Sequence, residues 1–187
     1  KHGNIVEIEK IYPPYIYSVK YDGEDVNEFE RLFEDWRNLD EVMDFFKKYE
    51  NYLKSQVWSA VSEPEAAAFQ VLEEADNLEI LFRKLYFNAK EESKPDFDSY
   101  FKYLDGKYKF EYEYVPMKSY GTECPSFIRL YAIKMGNNRY IIVGGGIKLC
   151  KKIQDSPYLK DHIFPNINKV RAWLKNNGIY EEDEFIN

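Results

Sequence analysis

The chain has 187 residues with 33 Asp and Glu against 26 Lys and Arg, a formal net charge of −7, and 18% aromatic residues. That length suits one domain with a proper core, and the two cysteines are too few for a disulfide framework or a cysteine-rich zinc site. No segment resembles a leader peptide and no apolar run reaches the roughly 20 residues that cross a bilayer, so the expected setting is the cytoplasm with no membrane partner.

The charge is unevenly spread. Residues 126–178 carry +8, while the rest of the chain carries −15. A polarised molecule with one cationic face follows from that split, as does the plainer reading of solvated lysines gathered near one end.

Residues 4–11 and Tyr15–Tyr21 alternate apolar and polar around Pro13-Pro14, which predicts two strands meeting around the prolines. A helix start is expected at Asp25 or Asn27, because Phe29, Leu32, Phe33 and Trp36 then form a core-facing stripe. A second helix begins near Asn38–Asp40 and presents Val42, Phe45, Phe46, Tyr49 and Leu53. A third, from Ser62-Glu63-Pro64 to about Ala89, keeps a 3.6-residue beat through Ala68, Val71, Leu72, Ala75, Leu78, Leu81, Phe82 and Leu85. Glu73, Glu74, Asp76 and Glu79 are expected on its outer side.

Lys90–Asp96 is a polar link between an N-terminal part, about 1–90, and a sheet-bearing part, about 97–178, of a single domain. Phe97–Leu104 suggests a helical turn or two. YKFEYEYVPM alternates aromatic and charged residues and predicts a strand from about Tyr108 to Val115, with Lys118–Pro125 as a loop.

Ser126–Lys152 is the most informative stretch. Two strands rich in β-branched and aromatic residues flank Gly136-Asn137-Asn138, a turn composition that tolerates positive φ. The first strand is apolar on both faces, which marks an interior position in the sheet. Gly144-Gly145-Gly146 is expected to end the second strand as a bend. It matches no established phosphate-loop spacing, although Lys148 keeps anion binding open. A short helix over Pro157–Phe164 and a longer one over Asn166–Asn177 follow, then an acidic tail within 179–187.

His2 and His162 are the only histidines, and neither sits in a metal-ligand spacing, so no metal or other cofactor is expected. His162 is expected at a surface or helix end, and Cys124 and Cys150 as buried free thiols. What remains is a set of Arg, Lys and Tyr on a sheet, able to hold a phosphodiester and stabilise charge when a neighbouring 2′-oxygen attacks it. Arg129, Tyr131, Lys134 and Arg139 are the candidates, with the reservation that Lys134 faces away from Arg129 and Tyr131. Ordinary strand residues are the alternative.

FIRLYAIKMGNNRYIIVGGGIK resembles the strand, turn and Val/Ile-rich strand leading to Gly-Gly-x-Ile-Lys of uncharacterised proteins related to RelE/HigB-like toxins. YDGEDVNEFERLFEDW, the following Phe45-Phe46 helix, the Trp58 loop and LEEADNLE extend the likeness over most of the chain. The resemblance implies an α+β fold: an antiparallel RelE/ParE-like sheet with a helical layer on one side, here with an N-terminal strand pair. It further implies a toxin–antitoxin type protein acting as a metal-independent mRNA interferase on RNA or the ribosome, with an antitoxin as protein partner. On that reading Arg129, Tyr131 and Arg139 are catalytic, and Lys134, Lys148, Lys151 and Lys152 contact RNA phosphate. The length and the acidic balance depart from compact, strongly basic toxins. The rival expectation is a non-catalytic interaction module of the same fold.

Overall fold

The structure, a computed structural model, describes residues 3–89, 93–111 and 113–180. Strand β1 (Ile5–Tyr12) returns through the proline pair into β2 (Ile16–Tyr21), antiparallel with Ile8 opposite Val19. Helix α1 (Glu28–Arg37) begins at Asn27, whose side chain accepts the Glu30 amide at 3.0 Å. Helix α2 (Leu39–Lys48) uses Asn38 in the same way. Each asparagine satisfies an N–H that the first helical turn leaves without an intrahelical partner.

The apolar run of the second helix breaks at Tyr49 and resumes as one turn, α3 (Glu50–Leu53). A 3₁₀ stretch over Gln56–Val61 leads to α4 (Pro64–Phe87), with proline in its first turn. The interior-facing side of α4 is Ala67, Ala68, Val71, Ala75, Leu78 and Phe82. Glu74, expected on the outer side, is instead fully buried. Of the link Lys90–Asp96, residues 90–92 lie outside the described residues, as does the tail 181–187.

The next segment differs from expectation. After a 3₁₀ turn at Asp98–Tyr100 comes the two-residue β3 (Lys102–Tyr103), and residues Gly106–Phe110 form another 3₁₀ turn rather than a strand. The aromatic-charged alternation there has no sheet to face, and Phe110 is 79% exposed. The strand starts where that prediction ended, as β4 (Val115–Tyr120), and runs into the expected loop at Lys118–Tyr120. Strands β5 (Ile128–Lys134) and β6 (Tyr140–Ile147) form the hairpin, with Gly136 and Asn138 at positive φ in its turn.

The six strands run in the order β1-β2-β6-β5-β4-β3. β5 is interior, between β6 and β4, as its two apolar faces imply. The sheet is mixed, not antiparallel throughout: β2 pairs parallel with β6 through Ile16–Ser18 and Tyr140–Ile142. The N-terminal hairpin is inserted beside β6, and the long helical excursion between them permits the parallel alignment.

The triple glycine does not end β6 but pairs within it, Gly144, Gly145 and Gly146 opposite Tyr131, Leu130 and Arg129. A Cβ on Gly145 would lie 2.4 Å from the Arg129 carbonyl oxygen and 2.9 Å from Leu32 of α1. A Cβ on Gly144 would meet Ile163 and Asn166 of α5 (Leu159–Asn176), so α1 and α5 cover opposite faces of β6. The resemblance implied helices on one side only. α5 is continuous through Pro165, where two helices were expected, and Ile163, Ile167, Val170 and Leu174 seat it on the sheet. One buried apolar cluster runs from Tyr12 to Leu174 and joins both faces.

Candidate functional site

The strand register decides which basic residues meet. In β4 and β5, Lys118 stands opposite Tyr131 and Tyr120 opposite Arg129. Arg129 is opposite Gly146, so the chain leaving β6 carries Lys148 back past the start of β5, where the Lys148 amide donates to the Phe127 carbonyl at 2.8 Å. Lys118, Lys148, Lys151 and Lys152 thereby line one cavity of about 340 Å³, closed by Leu104, Asp105, Ile153, Gln154 and Phe164 of α5. Asp105 is the one acid in that lining, and its carboxylate lies 3.9 Å from Lys107.

This cavity is electrostatically strained in favour of an anion. Lys118 Nζ donates to the Leu104 carbonyl at 3.1 Å, and Lys151 and Lys152 are exposed. Burial, then the charges of Arg129 and Lys118, push the Lys148 ammonium down to about 8. Like charges held together in a partly desolvated place cost free energy that a bound anion returns.

The segment bearing these lysines is anchored from the helical side. Trp58 Nε1 donates to the Leu149 carbonyl at 2.9 Å, and its indole stacks on Phe127 at 4.0 Å. The Cys150 amide donates to Ser156 Oγ at 3.0 Å. Both cysteines are free, and Cys124 is exposed rather than buried because it lies in the β4–β5 loop outside the core.

The expected catalytic set does not assemble. Arg129 turns inward: one of its terminal nitrogens donates to the Ser126 and Ile128 carbonyls at 2.9 and 2.8 Å, and its guanidinium lies 4.1 Å from the Tyr120 ring centre. Its Nε is buried without a partner, and burial lowers its proton affinity. Tyr131 is fully buried with no hydrogen-bond partner on its hydroxyl, and burial pushes its pKa up. A phenol so enclosed has no route to a substrate. Arg139 is 5% exposed at the hairpin turn, coupled to Tyr17, and roughly 20 Å of strand separates it from Arg129.

Lys134 lies on the opposite face from Arg129, 3.6 Å from Asp98, which also accepts the Tyr140 hydroxyl at 2.5 Å. Of the expected phosphate contacts, therefore, Lys148, Lys151 and Lys152 come together and Lys134 does not. Lys118 joins them unforeseen. The signal for it was weak, because its strand reads as a loop until paired with β5. His162 sits in the first turn of α5, its ring stacked on Tyr158 at 4.0 Å and its Nδ1 2.6 Å from the Tyr158 carbonyl oxygen.

A second cavity, about 350 Å³, opens between α1, α2 and β6, with Trp36, Phe45, Tyr49 and Tyr158 as aromatic walls and Gly145 and Gly146 behind. At its margin Glu28 takes two bonds from Arg31, at 2.8 and 2.9 Å, and Arg31 also pairs with Asp35. Among the described residues no group of three or more His, Cys, Asp or Glu could hold a metal, and no helix is long and apolar enough to cross a membrane. Comparison of the chain with protein-family models, with curated proteins and with solved structures gives no significant match.

Proposed function

We propose that this chain is an RNA-binding protein of RelE/HigB-like type whose lysine cavity takes the phosphate backbone. The observation that carries the reading is the convergence of Lys118, Lys148, Lys151 and Lys152 on one cavity with a single acid in its lining, in a chain that is acidic overall. The lysines argue for an anion. The choice of RNA, and of a toxin–antitoxin setting, rests on the resemblance of the β5–β6 hairpin. The reading is one of binding rather than strand cleavage, since the Tyr131 hydroxyl is enclosed and the part-buried Arg129 guanidinium is bonded to the Ser126 and Ile128 carbonyls.

The test is binding of a single-stranded RNA oligonucleotide as a function of salt. Log affinity should fall linearly with log salt, and Lys151→Ala with Lys152→Ala should flatten the slope by about 0.7 per lysine in contact. Binding that ignores both salt and these substitutions overturns the reading. An in-translation cleavage assay on the same protein separates binding from interferase activity.

A second reading, of a protein-binding helix, has its own observation. Phe69, Ile80 and Phe87 of α4 are about half or more exposed and, at spacings of 11 and 7 residues, share one face with Glu73 and Asp76. That face suits a partner that presents basic residues beside apolar ones. Phe69→Ser with Ile80→Ser should abolish such a complex while leaving RNA affinity alone.

A further inference from the structure

Lys148 differs from the exposed Lys151 and Lys152 of its cavity in being half-buried, and it is held at a fixed backbone position, directly after the last residue of β6. Cations face it from three places: Lys118 on β4, Arg129 on β5, and Lys151 and Lys152 on its own segment. The neighbouring acids are few. Asp105 lies in the lining near Lys107, and the Cys150 thiol is kept protonated by its burial. Among the described residues no carboxylate pairs with the Lys148 ammonium.

These surroundings place a nucleophile and an anion holder side by side. A lysine amine attacks only when neutral, and its neutral fraction is set by how strongly the surroundings oppose the ammonium. The Lys118, Lys151 and Lys152 ammonium groups, the last two exposed, supply what a departing phosphate needs.

We propose that Lys148 is a covalent acylation site for acyl phosphates, with the neighbouring lysines holding the phosphate while the Lys148 amine attacks; this rests on the anion-binding reading of the cavity. The neutral Nζ forms a bond to the carbonyl carbon. The bond between that carbon and the phosphate oxygen breaks, inorganic phosphate leaves with the electron pair, and the proton lost from nitrogen passes to water. No redox partner is involved. The amide that results carries no charge, so the cavity loses one of its four cations and the RNA affinity falls with it. Acylation thereby acts as a switch on the same site.

The experiment uses the wild-type chain incubated at pH 8 with acetyl phosphate, with acetylation read at each lysine by mass spectrometry. At that pH an amine titrating at about 8 is half neutral, against well under one hundredth for an ordinary lysine. Part of that gain is offset by lower basicity, so Lys148 should be modified at least about tenfold faster than the exposed Lys54. Added inorganic phosphate should protect Lys148 and leave Lys54 unchanged. A phosphate-free donor, N-hydroxysuccinimidyl acetate, should show a smaller preference.

Equal rates at Lys148 and Lys54 overturn the proposal. So does a preference that is the same with both donors and is not reduced by phosphate, since the cavity would then play no part. Selective, phosphate-protected acetylation in a protein that binds no RNA supports the proposal and overturns only the choice of RNA.

Discussion

Glu74 of α4 accepts the Phe127 amide on Oε2 at 2.9 Å, which ties the middle of the longest helix to the entrance of β5. Its other oxygen is buried with no partner, and burial raises its pKa in spite of the Ser126 and Phe127 bonds. A carboxyl raised in the folded state holds its proton more tightly there than in the unfolded chain. Its contribution is thus fully present below the ordinary glutamate range and is lost as pH rises through the raised value. Glu74→Gln keeps an acceptor for Phe127 and removes the charge, so it should be at least as stable as wild type at pH 8 and flatten the pH dependence. Glu74→Ala orphans the Phe127 amide and should cost about 1–3 kcal/mol. Urea unfolding at pH 5 and pH 8 measures both, and a Gln variant as unstable as the Ala variant would contradict this account.

Adjacent glycines of β6 should respond differently to a methyl group. In Gly145→Ala the new carbon meets the Arg129 carbonyl at 2.4 Å, a backbone atom that cannot swing aside, and the expected loss is about 3 kcal/mol. In Gly144→Ala the contacts are side-chain atoms of Asn166 and Ile163 at 3.4 Å, and the loss should stay below about 1 kcal/mol. Thermal unfolding of the two variants in parallel gives the comparison. Equal losses would mean that strand geometry rather than close approach selects glycine here.

Tyr131→Phe removes a buried hydroxyl that has no partner. Its stability should match or exceed wild type by up to about 1 kcal/mol, because no bond is lost and one desolvated polar group is gone. RNA affinity should not change. A large fall in RNA cleavage in this variant, measured during translation, would restore the catalytic role expected from the sequence.

Lys148→Met should raise stability and lower RNA affinity together. The Lys148 pKa is lowered to about 8 in the folded chain, so between about 8 and the ordinary lysine value the unfolded chain holds more protons. Wild-type stability from this group therefore increases as pH rises through that window, and the variant should lack the increase. Unfolding at pH 7.5 and 9.5 reads the first effect. Filter binding at low salt reads the second, a loss of roughly three- to tenfold for one phosphate contact. A variant that loses stability as well as affinity would show that Lys148 is structural.

Much of the local structure was legible in the sequence. Asp25 or Asn27, and then Asn38–Asp40, marked helix starts, of which Asn27 and Asn38 are the caps because their side chains accept amides three residues ahead, and the stripe from Phe29 to Trp36 marked the face that α1 buries. The hairpin turn was legible in Gly136 and Asn138, which tolerate positive φ. Such features depend on residues a few positions apart.

Features that depend on a distant partner read differently once folded. Alternation alone could not tell the exposed 3₁₀ turn at Gly106–Phe110 from the true strand Val115–Tyr120, since a strand exists only by pairing, here with β5. Glu74 looked like a surface acid until the Phe127 amide met it, 53 residues away. The triple glycine looked like a bend until Leu32 closed on Gly145 from one side and Ile163 and Asn166 on Gly144 from the other.

The basic character of Ser126–Lys152 was set by the sequence alone. Which of its cations act together was set by the register of β4, β5 and β6. That register folds Tyr131 into the interior with Arg129 half-buried beside it, leaves Arg139 at the far turn and Lys134 on the other face, and gathers Lys148, Lys151 and Lys152 with Lys118. Side-chain type fixes what chemistry a residue can do, but a strand's pairing fixes whether it faces solvent, core or another charge.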